Sequence, residues 1–415
     1  MLAFPTLREA VGRAVLRDDA IDTPAGRPRG ALGIELASSA VDLERLRPDY
    51  DRLHRVTGNT FPFALHDWHV TWWKHFAARG RRVVDALRVY VVRDRAHRAV
   101  GIVPFVATDR HFGPLAVRTL AMLGPDPYIS ELRGPLVEPG YEEDVARLLH
   151  ARLSANDADN KWDWILWTGL NERFARALDD GRPIQWLDPT VDYEHELPST
   201  WEAFRRGLKR NIRESLRHCY NSLKRDGYEF EFEVASKPVD VSRAVEQFLT
   251  LHAMRAEMTA GVPHRDRFHT PKSKEFLRDV ALRLSARGVT RVFLLKIQGR
   301  VVAARMGFVV GRSLYLYFSG YDPAWRKYSV MTTTVAEAIR YAIEQRLSRV
   351  SLSVGTDISK TRWGAHAVPW AEGIECRSAL RSRIAHAAYQ RASSWRERRA
   401  AALTTMLDLL PKRGW

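Results

Sequence analysis

Two stretches of this chain repeat one order of secondary-structure signals, and that repetition constrains the fold more than any single motif. In the first, a short strand at 34–37 precedes helical periodicity over 41–57 and 65–78. Strand-like segments follow at 86–92, 100–107 and 115–123, then a helix over 141–153 and a buried strand at 162–167. In the second, 228–234 alternates as a strand, and 241–258 and 273–286 read as helices. Segments 291–297, 301–309 and 313–319 read as strands, 331–346 as a helix and 349–354 as a strand. The sequences differ while the plan recurs: strand, two helices, three antiparallel strands, helix, strand. Eight elements seldom fall into one order twice by accident, so the expected fold is a duplicated α+β unit built on a mixed sheet.

A length of 415 residues independently favours two domains. The expected divisions are a leader over 1–32, poorly ordered because its Pro/Gly/Arg run gives it no core, an N-terminal unit over 33–198, a C-terminal unit over 199–370 and a basic helical tail over 371–415. The Asp- and Pro-rich segment 170–198, strand-like at 185–187, reads as the joint. A single long helix is expected over 201–225, with Phe204, Leu208, Ile212 and Leu216 as its apolar stripe and arginines and lysines around the rest. In the helix at 65–78, Trp68, Trp72 and Phe76 recur at i, i+4, i+8, which marks a core face, and Asp67 is placed to cap it.

Hydrophobic residues make up 45% of the chain, enough for two cores and too many for a disordered protein. The formal charge of +16 points to anionic partners: phosphorylated small molecules, nucleic acid or an acidic membrane surface. Two distant cysteines, Cys219 and Cys376, exclude a disulfide framework. With no 18-residue apolar run and no signal-peptide pattern, a cytoplasmic location is expected, with peripheral contact at the inner membrane.

Chemistry concentrates in residues 313–364. A strand ends at Gly320 and Pro323, a helix begins near Thr332, and a buried strand breaks at Gly355 ahead of Lys360, Arg362 and Trp363. A helix start above strand ends aims free N–H groups at an anion, so Arg326, Lys327, Ser329, Val330, Met331 and Thr332 are the candidate phosphate grip; a solvated basic turn is the plainer reading. Asp322 is the candidate base, although an Asp before Pro is equally a turn former. Tyr317 and Tyr321 are candidates to position substrate or donate a proton, and strand aromatics are also ordinary core. Lys360, Arg362 and Trp363 are candidate substrate contacts, as are His252 and Arg255 on the first helix of the second half. No His/Cys/Asp cluster has metal-ligand spacing, and no metal is expected.

Several motifs in this order resemble one family. Leu208-Lys209-Arg210-Asn211-Ile212-Arg213 resembles its basic helix before the C-terminal domain, Phe248-Leu249-Thr250-Leu251-His252 the next helix and Gly299-Arg300-Val301-Val302-Ala303-Ala304 a hairpin. Ser319-Gly320-Tyr321-Asp322-Pro323 resembles the strand end, and Asp357 through Lys360 to Trp363 the closing Lys-x-x-Trp motif. Together they are similar to the CelD-like branch of FemAB-type, GNAT-superfamily acetyltransferases, over about residues 33–370. The resemblance implies tandem GNAT domains, acetyl-CoA or another acyl-CoA as co-substrate, and an acceptor from cellulose or exopolysaccharide synthesis. It also implies substrate contact at Lys360. One departure is Met331, where relatives usually have glycine for close approach of the pyrophosphate.

The expected activity is acyl transfer from acyl-CoA to an amine or hydroxyl of a sugar, sugar nucleotide or exopolysaccharide (cellulose-type) precursor. Two alternatives stay open. One is a FemAB-like aminoacyl-tRNA-dependent transferase, the only reading that calls for nucleic acid. The other is a degenerate GNAT scaffold beside polysaccharide synthase machinery or an anionic membrane.

Overall fold

Local signals set most element boundaries. Strand β1 (Gly33–Ala37) leads into α1 (Ala40–Arg45), whose start is closed by a capping box between Ser39 and Asp42. Helix α2 (Arg47–Val56) carries proline in its first turn, where no N–H is needed, so the one helix expected over 41–57 is two, joined at Leu46. Then come α3 (His66–Phe76), β2 (Val83–Arg93), β3 (Ala99–Phe112), β4 (Leu115–Met122), β5 (Leu136–Val137), α4 (Glu142–Ser154) and β6 (Trp164–Leu170). Helix α5 (Glu172–Asp179), β7 (Ile184–Trp186) and β8 (Thr190–Glu196) occupy the expected joint. The second half holds α6 (Trp201–Gly207), α7 (Arg210–Arg225), β9 (Phe230–Ala235), α8 (Pro238–Ala256), α9 (Pro271–Ala286), β10 (Thr290–Ile297), β11 (Arg300–Val310) and β12 (Ser313–Tyr321). It closes with α10 (Val330–Glu344), β13 (Arg349–Val354), α11 (Ile358–Thr361) and β14 (His366–Cys376). Extended backbone at Leu208 and Lys209 splits the long helix expected over 201–225.

This computed structural model describes residues 31–112, 115–126, 128–155, 161–179, 182–258 and 264–391. The leader up to residue 30 and the tail beyond 391 lie outside the described residues. No helix among the described residues is long and apolar enough to cross a membrane.

The strands form one mixed sheet in the order β1-β2-β3-β4-β6-β14-β8-β13-β12-β11-β10-β9. Each half contributes antiparallel strands and one parallel pair, β4 with β6 and β12 with β13. Between the halves, β6 and β13 would each show a bare row of N–H and C=O groups, and β8 and β14 fill that gap. Strand β14 pairs with β8 from His366 to Trp370 and with β6 from Ala371 onward. The division expected at 370/371 therefore falls inside a strand shared by both halves. Likewise, β8 in the expected joint pairs with β13 of the second half.

One continuous core joins the halves. Leu53 and Trp68 of the first pack with Phe248, Phe276, Tyr315 and Tyr317 of the second. Asp67 does not cap α3. It pairs with Arg47 at 2.8 Å and with Arg287 of the second half at 2.9 Å. On the opposite face of the second half, α7 and α10 cover Val350 and Leu352.

Candidate active site

The site begins where two parallel strands part. Strands β12 and β13 pair only from Ser313 with Arg349 to Tyr315 with Ser351, while β12 runs on to Tyr321. A bulge drives the divergence: two residues of β12 lie between Leu316 and Ser319, where β11 has only one between Gly307 and Arg305. The result is a wedge lined by backbone groups of the two parted strands.

Helix α10 points its N-terminus at one side of this wedge. Ser329, in the left-handed region at φ 52°, receives the N–H groups of Thr332 and Thr333 on its carbonyl. The N–H groups of Val330 and Met331 have no backbone acceptor among the described residues. Arg362 comes from beyond β13 to the same place, and its Nη2 donates to Thr332 Oγ1 at 2.6 Å. Its Nε and the Thr333 hydroxyl are buried without partners, and burial lowers the guanidinium pKa. A half-buried cation beside the positive end of a helix is a site in want of an anion.

The expected grip is thus brought together only in part. Ser329, Thr332 and the N–H groups of Val330 and Met331 share one place with Arg362, which the sequence reading had put on the substrate side. The Val330 side chain is core, and Met331 packs beside it. Arg326 and Lys327 lie on the exposed face of a 3-10 turn (Pro323–Tyr328) between β12 and α10, where Lys327 sits over the Tyr328 ring and meets Asp226 at 3.4 Å.

Other candidates have structural work instead. Asp322 accepts the Ala324 N–H at 3.0 Å as the cap of that turn and pairs with Arg300 at 2.8 Å, so it is no free base. Trp363, 1% exposed, lies in the core under α10 and offers no surface to a substrate. His252 is wholly buried. Its Nδ1 donates to the Ser319 carbonyl at 2.9 Å and its Nε2 accepts the Arg267 N–H at 3.3 Å, a neutral tautomer that burial also favours. Tyr317, 2% exposed, donates to the Ile129 carbonyl at 2.5 Å, and burial holds its hydroxyl protonated. It is a pin between the halves. Tyr321 lies under the Arg255 guanidinium, which also bonds Ser319 Oγ at 2.8 Å. Lys360 turns back over Gly355 to the Val354 carbonyl and pairs with Asp357 at 2.9 Å.

The residue missed by the sequence reading is Glu131. It arrives from the loop after β4, and Tyr315, the last residue of β12 paired with β13, donates to its Oε2 at 2.5 Å. Asp126 holds this loop by accepting the N–H groups of Ile129 and Ser130 and the Trp72 indole. Trp68 adds a bond to Ser130, so the tryptophan face of α3 clamps the loop as well as filling core. Burial pushes the Glu131 carboxyl up to about 7, against the opposing pull of Tyr315, Lys360, Arg305 and Arg267. Arg305 faces it from β11, its own guanidinium held down to about 10 by burial. No periodicity or spacing singles out Glu131: its place depends on how the two halves dock.

An acid near neutral pKa, a parted strand pair and an anion-seeking helix end together describe an acyltransferase of the GNAT type. Residues 210–361 match the family model described as acetyltransferase (GNAT) domain. The fold is similar to the crystal structure of FemX, with a TM-score of 0.57 at 11% identity over 80% of this chain and 96% of that one. It is also similar to the C-terminal domain of a putative lysylphosphatidylglycerol synthetase from Agrobacterium fabrum (TM-score 0.47, 12% identity, 80% and 92% covered). A tandem GNAT protein from the clavulanic acid biosynthesis pathway is a further neighbour (TM-score 0.42, 11% identity, 83% and 98% covered). No curated protein matches the chain. Residues 210–361 are thus a GNAT acetyltransferase domain, set in a chain whose overall fold is similar to that of FemX.

Proposed function

We propose that the protein moves an acyl group from acyl-CoA to an amine or hydroxyl of a sugar, sugar nucleotide or exopolysaccharide precursor held between its two halves. The observation that carries this reading is Glu131, a carboxyl at about 7 bonded to Tyr315 where the wedge opens. A base of that strength takes a proton from an attacking amine at neutral pH. The backbone groups of the parted strands align the thioester and face the oxygen that gains charge during attack. The α10 N-terminus and Arg362 hold the phosphates of the donor. Arg255, Arg267, Arg305 and Lys360 make the crevice around Glu131 positive, which suits an acceptor bearing phosphate or carboxylate. Met331 leaves its N–H available while its side chain packs against the core below, so the absence of glycine does not cap the helix end.

The test is calorimetric titration with acetyl-CoA and longer acyl-CoAs, followed by release of free CoA in the presence of amino sugars and sugar nucleotides. Binding of at least one acyl-CoA is expected, with turnover that falls 10²- to 10⁴-fold in Glu131→Gln and donor affinity retained. A folded protein that binds none of them would sink the proposal.

A further inference from the structure

Beside the crevice, on the same face of the sheet, lies a cavity of about 510 Å³ that no part of the acyl-transfer reading uses. Its position follows from register. Tyr315 lies beside Ser351, Ser351 opposite Glu194, and Glu194 opposite His366, so these four residues form one row across β12, β13, β8 and β14. Neighbouring strands lie about 4.8 Å apart, which puts Glu194, at the cavity wall, about 10 Å along the row from Tyr315 and its partner Glu131. Phe61 spans the interval, with ring centroids 5.9 Å from Tyr315 and 4.8 Å from Trp370.

The lining is specific in its chemistry. Asn59 spends its side-chain oxygen on the Phe61 N–H at 2.9 Å, and Asn171 spends its own on the Phe174 N–H at 2.8 Å as the cap of α5. Both NH₂ groups then remain without acceptors among the described residues. The Trp370 indole Nε1, unlike these more open amides, is buried and has no partner. Glu194 is already matched by Arg349 at 3.2 Å and Glu172 by Arg176, so the wall carries little uncompensated negative charge to draw a cation. Three neutral donors, two ion-paired carboxylates and one open aromatic ring suit a ligand with many neutral oxygens and an apolar C–H face.

We propose that this cavity is a sugar-binding subsite, which seats a pyranose ring against Trp370, backed by the buried Phe61, and takes its ring and hydroxyl oxygens on the amides of Asn59 and Asn171 and the Trp370 indole. Its role as the acceptor's anchor rests on the acyl-transfer reading; the binding of sugar does not.

The test is equilibrium binding of D-glucose, N-acetyl-D-glucosamine and cellobiose to the full chain without acyl-CoA, by saturation-transfer NMR, with putrescine and acetate as cationic and anionic controls. Asn59→Asp and Asn171→Asp keep the oxygen that accepts the backbone N–H and remove the donor, and an Asp cap serves α5 as well as Asn. Trp370→Phe keeps a ring and removes the indole N–H. At least one sugar is expected to bind, each variant to weaken it about tenfold, and thermal midpoints to stay near wild type. The proposal is overturned if no sugar binds, if the three variants bind as wild type does, or if putrescine or acetate outcompetes the sugars. A protein that transfers acyl groups yet ignores every sugar loses the cavity assignment and keeps the enzyme. Sugar binding without acyl-CoA binding does the reverse.

Discussion

Replacing Glu131 by glutamine separates a working base from a merely buried acid. In the folded chain the carboxyl is raised from near 4.5 to about 7. Between those values the folded state keeps a proton that the unfolded chain has lost, so stability falls as pH rises through that window. At 1.36 kcal/mol per pKa unit, the ionised form is costing about 3 kcal/mol by pH 8. Glutamine does not titrate, and its carbonyl can still accept from Tyr315. Urea unfolding of wild type and variant at pH 4, 5, 6, 7 and 8 should give near-equal stability at the acid end and a variant more stable by about 3 kcal/mol at the alkaline end. Asp192, raised first by burial and then by Glu194, is also pushed up by the Glu131 charge, so the variant relieves that smaller repulsion too, and the effect adds to the difference at the alkaline end. Activity should run the other way. Wild-type kcat/KM rises with pH through about 7 as the base ionises, and the variant loses that limb along with most of its turnover. A stability difference that is the same at pH 5 and pH 8 would refute the raised pKa and with it the choice of base.

Three further outcomes follow from the same geometry. Arg362→Ala should weaken acyl-CoA binding about ten- to hundredfold by calorimetry, with Arg362→Lys restoring only part, because a lysine cannot both bond Thr332 and meet a phosphate in the guanidinium's geometry. Tyr317→Phe strips the Ile129 carbonyl of its donor, so a loss of about 1–3 kcal/mol in unfolding free energy is expected, with faster hydrogen exchange in the loop around Ile129 and a lower kcat. Gly320→Ala would place a methyl group inside the backbone of α8 at Leu251 and His252; overpacking of about 1–3 kcal/mol should appear as a lower thermal midpoint, together with lost turnover from displaced Arg255.

Local pattern carried the architecture far. The alternation of 313–319 and the spacing of Val335, Ala338, Ile339 and Ala342 are fixed by which side of each element is buried, and both elements formed as the residues indicate. The break at Leu46 was also written locally, in Pro48, but the continuing stripe of Tyr50 and Leu53 masked it. Strand β14 was illegible for another reason. It changes partners at Ala371, with a register irregularity between Ala371 and Gly373, so no single alternation runs through Val368, Trp370 and Ile374.

The sequence by itself determined the duplicated order of strands and helices and the position of the helix end that seeks an anion, because backbone hydrogen bonding and side-chain periodicity act over a few residues. It could not determine which titratable groups meet. Glu131 and Tyr315 are 184 positions apart and touch only because the two halves share a core. Arg362 reaches Thr332 only because β13 returns beside β12. Desolvation and charge depend on distance through space, and tertiary packing alone sets those distances, so Asp322, plausible in the sequence, became a turn cap, and Glu131, silent in the sequence, became the candidate base.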